Sequence, residues 1–125
     1  MITQEEKQLL LVDLCARLPY HVRVKVWLKD GTTEEGFYDF EHNYEDVMKD
    51  FFFYNKLNDL KPYLRPMSSM TEEEKIDYQA FFNYDGVEYP EEYIDWFNAH
   101  HFDYRGLIEK GLAIEVTEEN NPYKD

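Results

Sequence analysis

His21-Val22-Arg23-Val24-Lys25-Val26-Trp27-Leu28-Lys29-Asp30-Gly31-Thr32 is the stretch on which the reading of the fold turns. Val22, Val24, Val26 and Leu28 occupy alternate positions, with His21, Arg23, Lys25 and Trp27 between them. A period of two describes a strand with one face in a core and the other outside. Asp30-Gly31 then predicts a hairpin turn, because the pair accepts positive φ at both turn positions. Thr32 to Phe40 reads as the returning strand, with Gly36 as a bulge or a point of close approach.

Upstream the pattern is helical. Thr3-Gln4-Glu5-Glu6 is a capping box, a hydroxyl N-cap with a carboxylate three positions on to reach back to its amide. Leu9, Leu10, Leu11, Val12, Leu14, Cys15, Ala16 and Leu18 follow, a helix packed over a wide face that Pro19 ends. Cys15 lies among these apolar residues, which predicts a buried, unreactive thiol.

Downstream, residues 41–50 are acidic and irregular, and Phe51-Phe52-Phe53-Tyr54 is short, aromatic and strand-like. Residues 61–70 form a connector in which Pro62 and Pro66 bracket an extended segment. Thr71-Glu72-Glu73-Glu74 is a second capping box, opening a helix with Ile76, Ala80 and Phe81 turned inward. Tyr84-Asp85-Gly86-Val87 reads as a turn. Pro90 suits the first position of a further helix, and Tyr93, Ile94, Trp96 and Phe97 carry its packed face. Asp103 would cap a last short helix that Gly111 stops, and Leu112, Ile114 and Val116 alternate as an edge strand. The expectation is a single α+β domain over 1–125. Residues 1–60 supply a helix on a small antiparallel sheet, and 71–125 are mainly helical.

The composition joins 22 aromatic residues, 11 Tyr, 9 Phe and 2 Trp, to a net charge of -14. Aromatics supply the large apolar areas of cores and interfaces, so the chain is a folded domain with an acidic surface. Residues 30–60 carry a net -7 and 71–95 a net -8, with the connector 61–70 at +2 between them. This field repels phosphate backbones and attracts basic partners; the alternative is that it only keeps an aromatic-rich protein soluble. The lone Cys15 excludes an intramolecular disulfide and a cysteine-based zinc site. The N-terminal residues lack the pattern of a signal peptide, and no stretch approaches the roughly 20 apolar residues of a membrane span. A cytoplasmic location and no membrane partner are expected.

Two resemblances bear on the chain. Residues 11–20, 61–74 and 95–108 include Asp13-Leu14-Cys15-Ala16-Arg17-Leu18-Pro19, Lys61-Pro62-Tyr63-Leu64-Arg65-Pro66-Met67-Ser68 and His100-His101-Phe102-Asp103-Tyr104-Arg105-Gly106. They resemble blocks of a family of small uncharacterised proteins of phages and mobile elements in gut Bacteroides-type bacteria. This implies a genomic setting and does not imply an activity. Separately, Val22-Arg23-Val24-Lys25-Val26, Asp30-Gly31, Gly36 and Asp39-Phe40-Glu41-His42-Asn43 resemble the first motif of Sm-like proteins. That resemblance implies an SH3-like barrel. In the Sm-like family the Asp39 and Asn43 positions lie on an RNA-binding loop, yet the second Sm motif is not apparent and the surrounding net -7 disfavours phosphate.

Candidate chemistry is sparse. His100-His101-x-Asp103 gathers metal-ligand types, but adjacent histidines on a helix point about 100° apart, so no metal site is expected. No nucleophile elbow, Walker loop or dinucleotide fingerprint occurs, and no cofactor is expected. The functional expectation is a non-enzymatic acidic accessory protein that binds a basic host or phage protein, one form being mimicry of nucleic-acid charge. Tyr38, Tyr44, Tyr54, Glu72, Glu73, Glu74 and Tyr84 are the candidate binding residues, exposed tyrosines beside carboxylates. The same surface could instead bury itself in a homodimer. The alternative function is a small Sm-like RNA-binding barrel.

Overall fold

In the computed structural model, residues 3–38, 49, 51, 57–83 and 90–123 are described. The chain is α+β: α1 (Gln4–Arg17), β1 (Val22–Leu28), β2 (Thr33–Tyr38), β3 (Leu57–Leu64), α2 (Glu72–Asn83), α3 (Pro90–Ala99) and β4 (Ile114–Glu115). The strands form an open sheet in the order β2-β1-β3-β4. Pairing is antiparallel between β1 and both its neighbours, and parallel between β3 and β4. The sheet among the described residues is therefore mixed, where an antiparallel one was expected.

α1 begins at the predicted capping box: Glu6 N–H donates to Thr3 Oγ1 at 3.1 Å, and Thr3 N–H to Glu6 Oε1 at 3.0 Å. A short 3-10 turn, Leu18–Tyr20, follows, and His21 at φ 58° swings the chain into β1. Val22, Val24 and Val26 are buried as the period of two requires. They share one core with Leu10 and Leu14 of α1, Leu18 of the turn, Leu60 and Leu64 of β3, and Leu107 and Leu112 further on. Cys15 differs from expectation and is exposed, because it lies on the outer side of α1 with Val12. Partial burial still pushes its thiol pKa upward.

The hairpin forms where predicted, by a different turn. Gly31 alone adopts positive φ, at 90°, while Gly31 N–H donates to Leu28 O and Leu28 N–H to Thr32 O. This is a three-residue loop closed by a glycine in the left-handed region, with Asp30 Oδ1 accepting from Thr32 N–H. Gly36 sits in regular register opposite Val24, so no bulge occurs there. The irregularity falls between β1 and β3, where Trp27 faces Asp59 and Leu28 faces Leu57.

β3 runs through the first half of the predicted connector. The extended backbone expected at Pro62 exists, as an inner strand of the sheet. Leu64 O, of the same parity as Pro62, accepts from Val116 N–H on the β4 side. The N–H that Pro62 lacks thus falls toward two-residue β4 and leaves the β1 ladder intact. Phe51 is buried in π-helical backbone and not in a strand; Phe52, Phe53 and Tyr54 lie outside the described residues.

The C-terminal part departs most from expectation. α2 and α3 form at Thr71 and Pro90, but residues 100–123 hold no described helix. They make a strap of turns that returns to the end of β3. Arg65 N–H donates to His101 O at 2.7 Å, and Asp103 N–H to Arg65 O at 2.8 Å. Asp103 caps a turn and not a helix, accepting from Leu107 and Ile108 N–H at 2.9 Å each.

A buried ion pair fastens α1 to this strap. Asp13 and Arg17 are both fully buried, with Arg17 Nε donating to Asp13 Oδ2 at 2.7 Å and Nη2 to Oδ1 at 3.1 Å. Nη2 also donates to Phe102 O at 2.6 Å, and Arg105 Nε lies 3.3 Å from Asp13 Oδ1 as a charge contact without hydrogen-bond geometry.

Two stability outcomes follow from this packing. Val24→Asp places an unpaired carboxylate in the core and should unfold the domain, whereas Lys25→Gln on the outer face should cost under about 1 kcal/mol, measured by thermal melting. Arg17→Met leaves buried Asp13 with the Arg105 charge contact alone and Phe102 O without its donor, and should destabilise by about 3–5 kcal/mol in denaturant titration. Combining it with Asp13→Leu should restore much of that loss, since an apolar pair of similar volume leaves no buried charge.

Candidate functional site

The N-terminal half of α2 presents the acidic part of the expected site. Its capping box holds, with Thr71 N–H donating to Glu74 Oε1 at 2.9 Å and Glu74 N–H to Thr71 Oγ1 at 3.2 Å. Glu74 does more than cap. Arg65 clamps it with two bonds, Nη1 to Oε2 at 2.7 Å and Nη2 to Oε1 at 2.6 Å. The guanidinium hydrogen bonds hold its carboxyl pKa down to about 2. Arg65 also lies 4.2 Å from the Phe102 ring centroid and donates to Ser69 O and His100 O. Glu74 is therefore committed to the fold and is not part of an open acidic face.

That clamp sets the rotation of the helix. With Glu74 turned inward, Tyr78 follows four residues on, and its ring meets Trp96 and Phe97 of α3 at 6.3 and 5.4 Å. At 100° per residue Ile76 points away from this stripe. Ile76 is 67% exposed and Ala80 is exposed, the reverse of the inward placement expected from the sequence. Glu72, Glu73, Ile76, Asp77 and Ala80 are all exposed and span an arc of about 140° on the outer side. Glu72 meets Lys75 at 3.4 Å, an exposed pair of small energetic weight.

Of the expected tyrosines, Tyr38 closes β2, opposite Val22. Tyr44, Tyr54 and Tyr84 lie outside the described residues. Glu72 and Glu73 are thus brought together, Glu74 is diverted inward, and Tyr38 belongs to the edge strand of the sheet.

Sequence reasoning passed over a cleft of about 650 Å³ between the end of α3, Arg65 and the strap. His100 and His101 both reach it, with different partners. His100 Nδ1 lies 2.9 Å from Trp96 O and its ring packs 4.3 Å from that indole. His101 adopts φ 64° and stacks on Tyr123, with centroids 3.6 Å apart and rings 7° from parallel. Burial and the neighbouring Arg17 charge lower its pKa to about 4, so the imidazole is neutral, and its buried Nδ1 has no hydrogen-bond partner. The two adjacent rings have different partners, Trp96 for His100 and Tyr123 for His101, whose backbone is left-handed.

Tyr123 is a structural spoke of the same cleft. Its hydroxyl accepts from Arg23 N–H at 3.0 Å and donates to Tyr63 O at 2.7 Å, bridging β1 and β3. Burial raises its pKa. The cleft's hydroxyls are also spent locally: Ser69 Oγ donates to Pro66 O and Thr117 Oγ1 to Asn120 Oδ1. Neither is hydrogen-bonded to a histidine among the described residues.

The outer sheet face carries a third group. Trp27 has the Lys25 and Lys61 ammonium groups 5.4 and 5.7 Å from its ring centroid, and Arg23 lies 5.1 Å from the Phe37 ring. Tyr63 donates its phenol to Glu35 Oε1, and burial with this carboxylate pushes its pKa up to about 12.

His101 imposes a pH dependence with a defined sign. Its folded pKa lies below the ordinary 6.5, so the unfolded chain binds the extra proton first. The His101 contribution is complete above 6.5 and is lost as pH falls from there toward about 4. His101→Asn tolerates the left-handed backbone and removes the titration. Its melting temperature should decline less than that of the unaltered protein across this window.

No family model, curated protein or solved structure matches the chain, so the functional reading rests on this geometry.

Proposed function

We propose that the protein is a non-enzymatic acidic accessory protein of a phage or mobile element. It binds a basic protein surface through the outer face of α2. The observation that carries this reading is Ile76, 67% exposed and ringed by Glu72, Glu73 and Asp77. An interface would gain from an isoleucine there: full burial of such a side chain contributes about 1.5–3 kcal/mol. The carboxylates would speed encounter with a basic partner and fix its orientation. A row of carboxylates in place of phosphates also suits a partner that is itself a nucleic-acid binder, the charge-mimicry form of the same reading.

A second reading is a small Sm-like RNA-binding barrel. It is favoured by one feature, the outer sheet face where the paired Lys25 and Lys61 both stand beside the Trp27 ring, since stacked bases and basic side chains go together in single-strand recognition. Closure of the four-stranded sheet into an SH3-like barrel belongs to that reading.

The test is a pull-down from host lysate with salt titration, comparing the unaltered protein with Glu72→Lys/Glu73→Lys and with Ile76→Ser. Glu74 is left in place because it holds the fold. The first variant should slow association and lose the partner at lower salt; the second should shorten retention at any salt. A partner displaced by duplex DNA supports mimicry. Recovery of RNA in place of protein overturns the leading reading, as does a partner indifferent to both variants.

A further inference from the structure

β1 and β3 separate before either strand ends. Their pairing runs from Leu28 with Leu57 to Val24 with Pro62 and stops there, although β1 begins at Val22 and β3 continues to Leu64. The next rung, Arg23 against Tyr63, is filled by a side chain. The Tyr123 hydroxyl accepts from Arg23 N–H at 3.0 Å and donates to Tyr63 O at 2.7 Å. Its ring lies on the His101 imidazole with centroids 3.6 Å apart, and the Phe37 ring meets it edge-on at 6.1 Å.

The slot thus has three fixed parts: a backbone donor, a backbone acceptor and a flat ring. Whatever fills it carries a hydroxyl that both accepts and donates, on a planar apolar body. That description fits a phenol. A phenyl ring leaves the donor and acceptor unpaired, and an aliphatic alcohol leaves the imidazole uncovered.

The present occupant is held through one side chain. Among the described residues, every other hydrogen bond of residues 117–123 stays within 115–123, linking Thr117 with Asn120, Asn120 with Glu115 O, and Tyr123 N–H with Asn121 Oδ1. Residues 117–120 are exposed, whereas Val116 before them is fixed by its N–H bond to Leu64 O. A locally bonded turn tethered in this way can leave as a unit while the core stays folded. Thr117, Glu118, Asn121 and Tyr123 also wall the cleft of about 650 Å³ beside Arg65 and His100, so their departure widens the way to the slot.

We propose that this slot is a binding site for a para-substituted phenol, with segment 117–123 as its resident, displaceable occupant. A tyrosine on so short a tether competes at an effective concentration in about the millimolar range. An external phenol therefore enters the unaltered protein only at comparable concentration, and a vacated slot at much lower ones. The inference does not use the acidic face of α2.

Amide NMR on the full chain tests it, read at the Arg23 N–H. In Tyr123→Ala, p-cresol should shift this resonance saturably and raise the melting temperature. Toluene should bind at least about tenfold more weakly, as a site built for a hydroxyl requires. The unaltered protein should need at least about tenfold more p-cresol for the same shift, because its own tyrosine competes. N-acetyl-tyrosinamide separates the sources: binding beside p-cresol gives the slot to a peptide tyrosine, and exclusion gives it to a small free phenol. Tyr123→Phe keeps the ring and lacks the hydroxyl, so it supplies the same reading if the alanine variant does not fold. Its Arg23 resonance should respond to p-cresol at lower concentration than that of the unaltered protein. The proposal is overturned if p-cresol leaves Arg23 unmoved in both variants, or if toluene matches it.

Discussion

The architecture depends on a charge pair that never meets water. Asp13 and Arg17 lie one turn apart on α1, fully buried, and the guanidinium reaches beyond its own helix to Phe102 O. Taking two charges out of water is costly, and geometry of this quality with further hydrogen bonds is what offsets it. The pair acts as a joint between the first helix and the last third of the chain. Arg105 adds a second positive charge from the strap, and the Tyr104 ring centroid lies 5.3 Å from the Arg17 guanidinium carbon. Hydrophobic packing alone would leave the strap free to slide over the sheet; a bond to one particular carbonyl sets its register.

A second arginine extends the logic. Arg65, at the end of β3, binds His101 and Asp103 through its backbone and Glu74 through its side chain. One residue thus sets where the strap lies and how α2 is rotated. Ile76 is exposed because Glu74 is turned in. The acidic outer face of α2 is a consequence of an internal ion pair, and Glu74 is excluded from that face by the same bond.

The charge distribution acquires meaning only in three dimensions. Lysines at 7, 29, 61 and 110 are far apart in the chain and look unremarkable beside 27 carboxylates. The hairpin loop, the start of α1 and the turn before Gly111 bring them to one recess. The carboxylates of α2 remain on a separate surface.

Local chemistry was legible in the sequence wherever the physics is local. Both capping boxes, the burial of Val22, Val24 and Val26, the hairpin at Asp30-Gly31 and the start of α3 at Pro90 depend on residues within a few positions of one another. Tertiary structure decided what depends on distant partners. Pro62 disguised β3, because a proline within a run argues against a strand until the side on which its N–H is missing is known. The inward face of α2 read as Ile76 and Ala80 by apolarity, and became Glu74 and Tyr78 once Arg65 supplied a partner. The candidate acidic site was half legible, through Glu72 and Glu73; the lysine cleft was invisible, since nothing in the spacing of 7, 29, 61 and 110 announces it. Periodicity reports which side of an element is apolar, but a buried ion pair or a shared cleft is a relation between elements, and only the folded chain holds them at bonding distance.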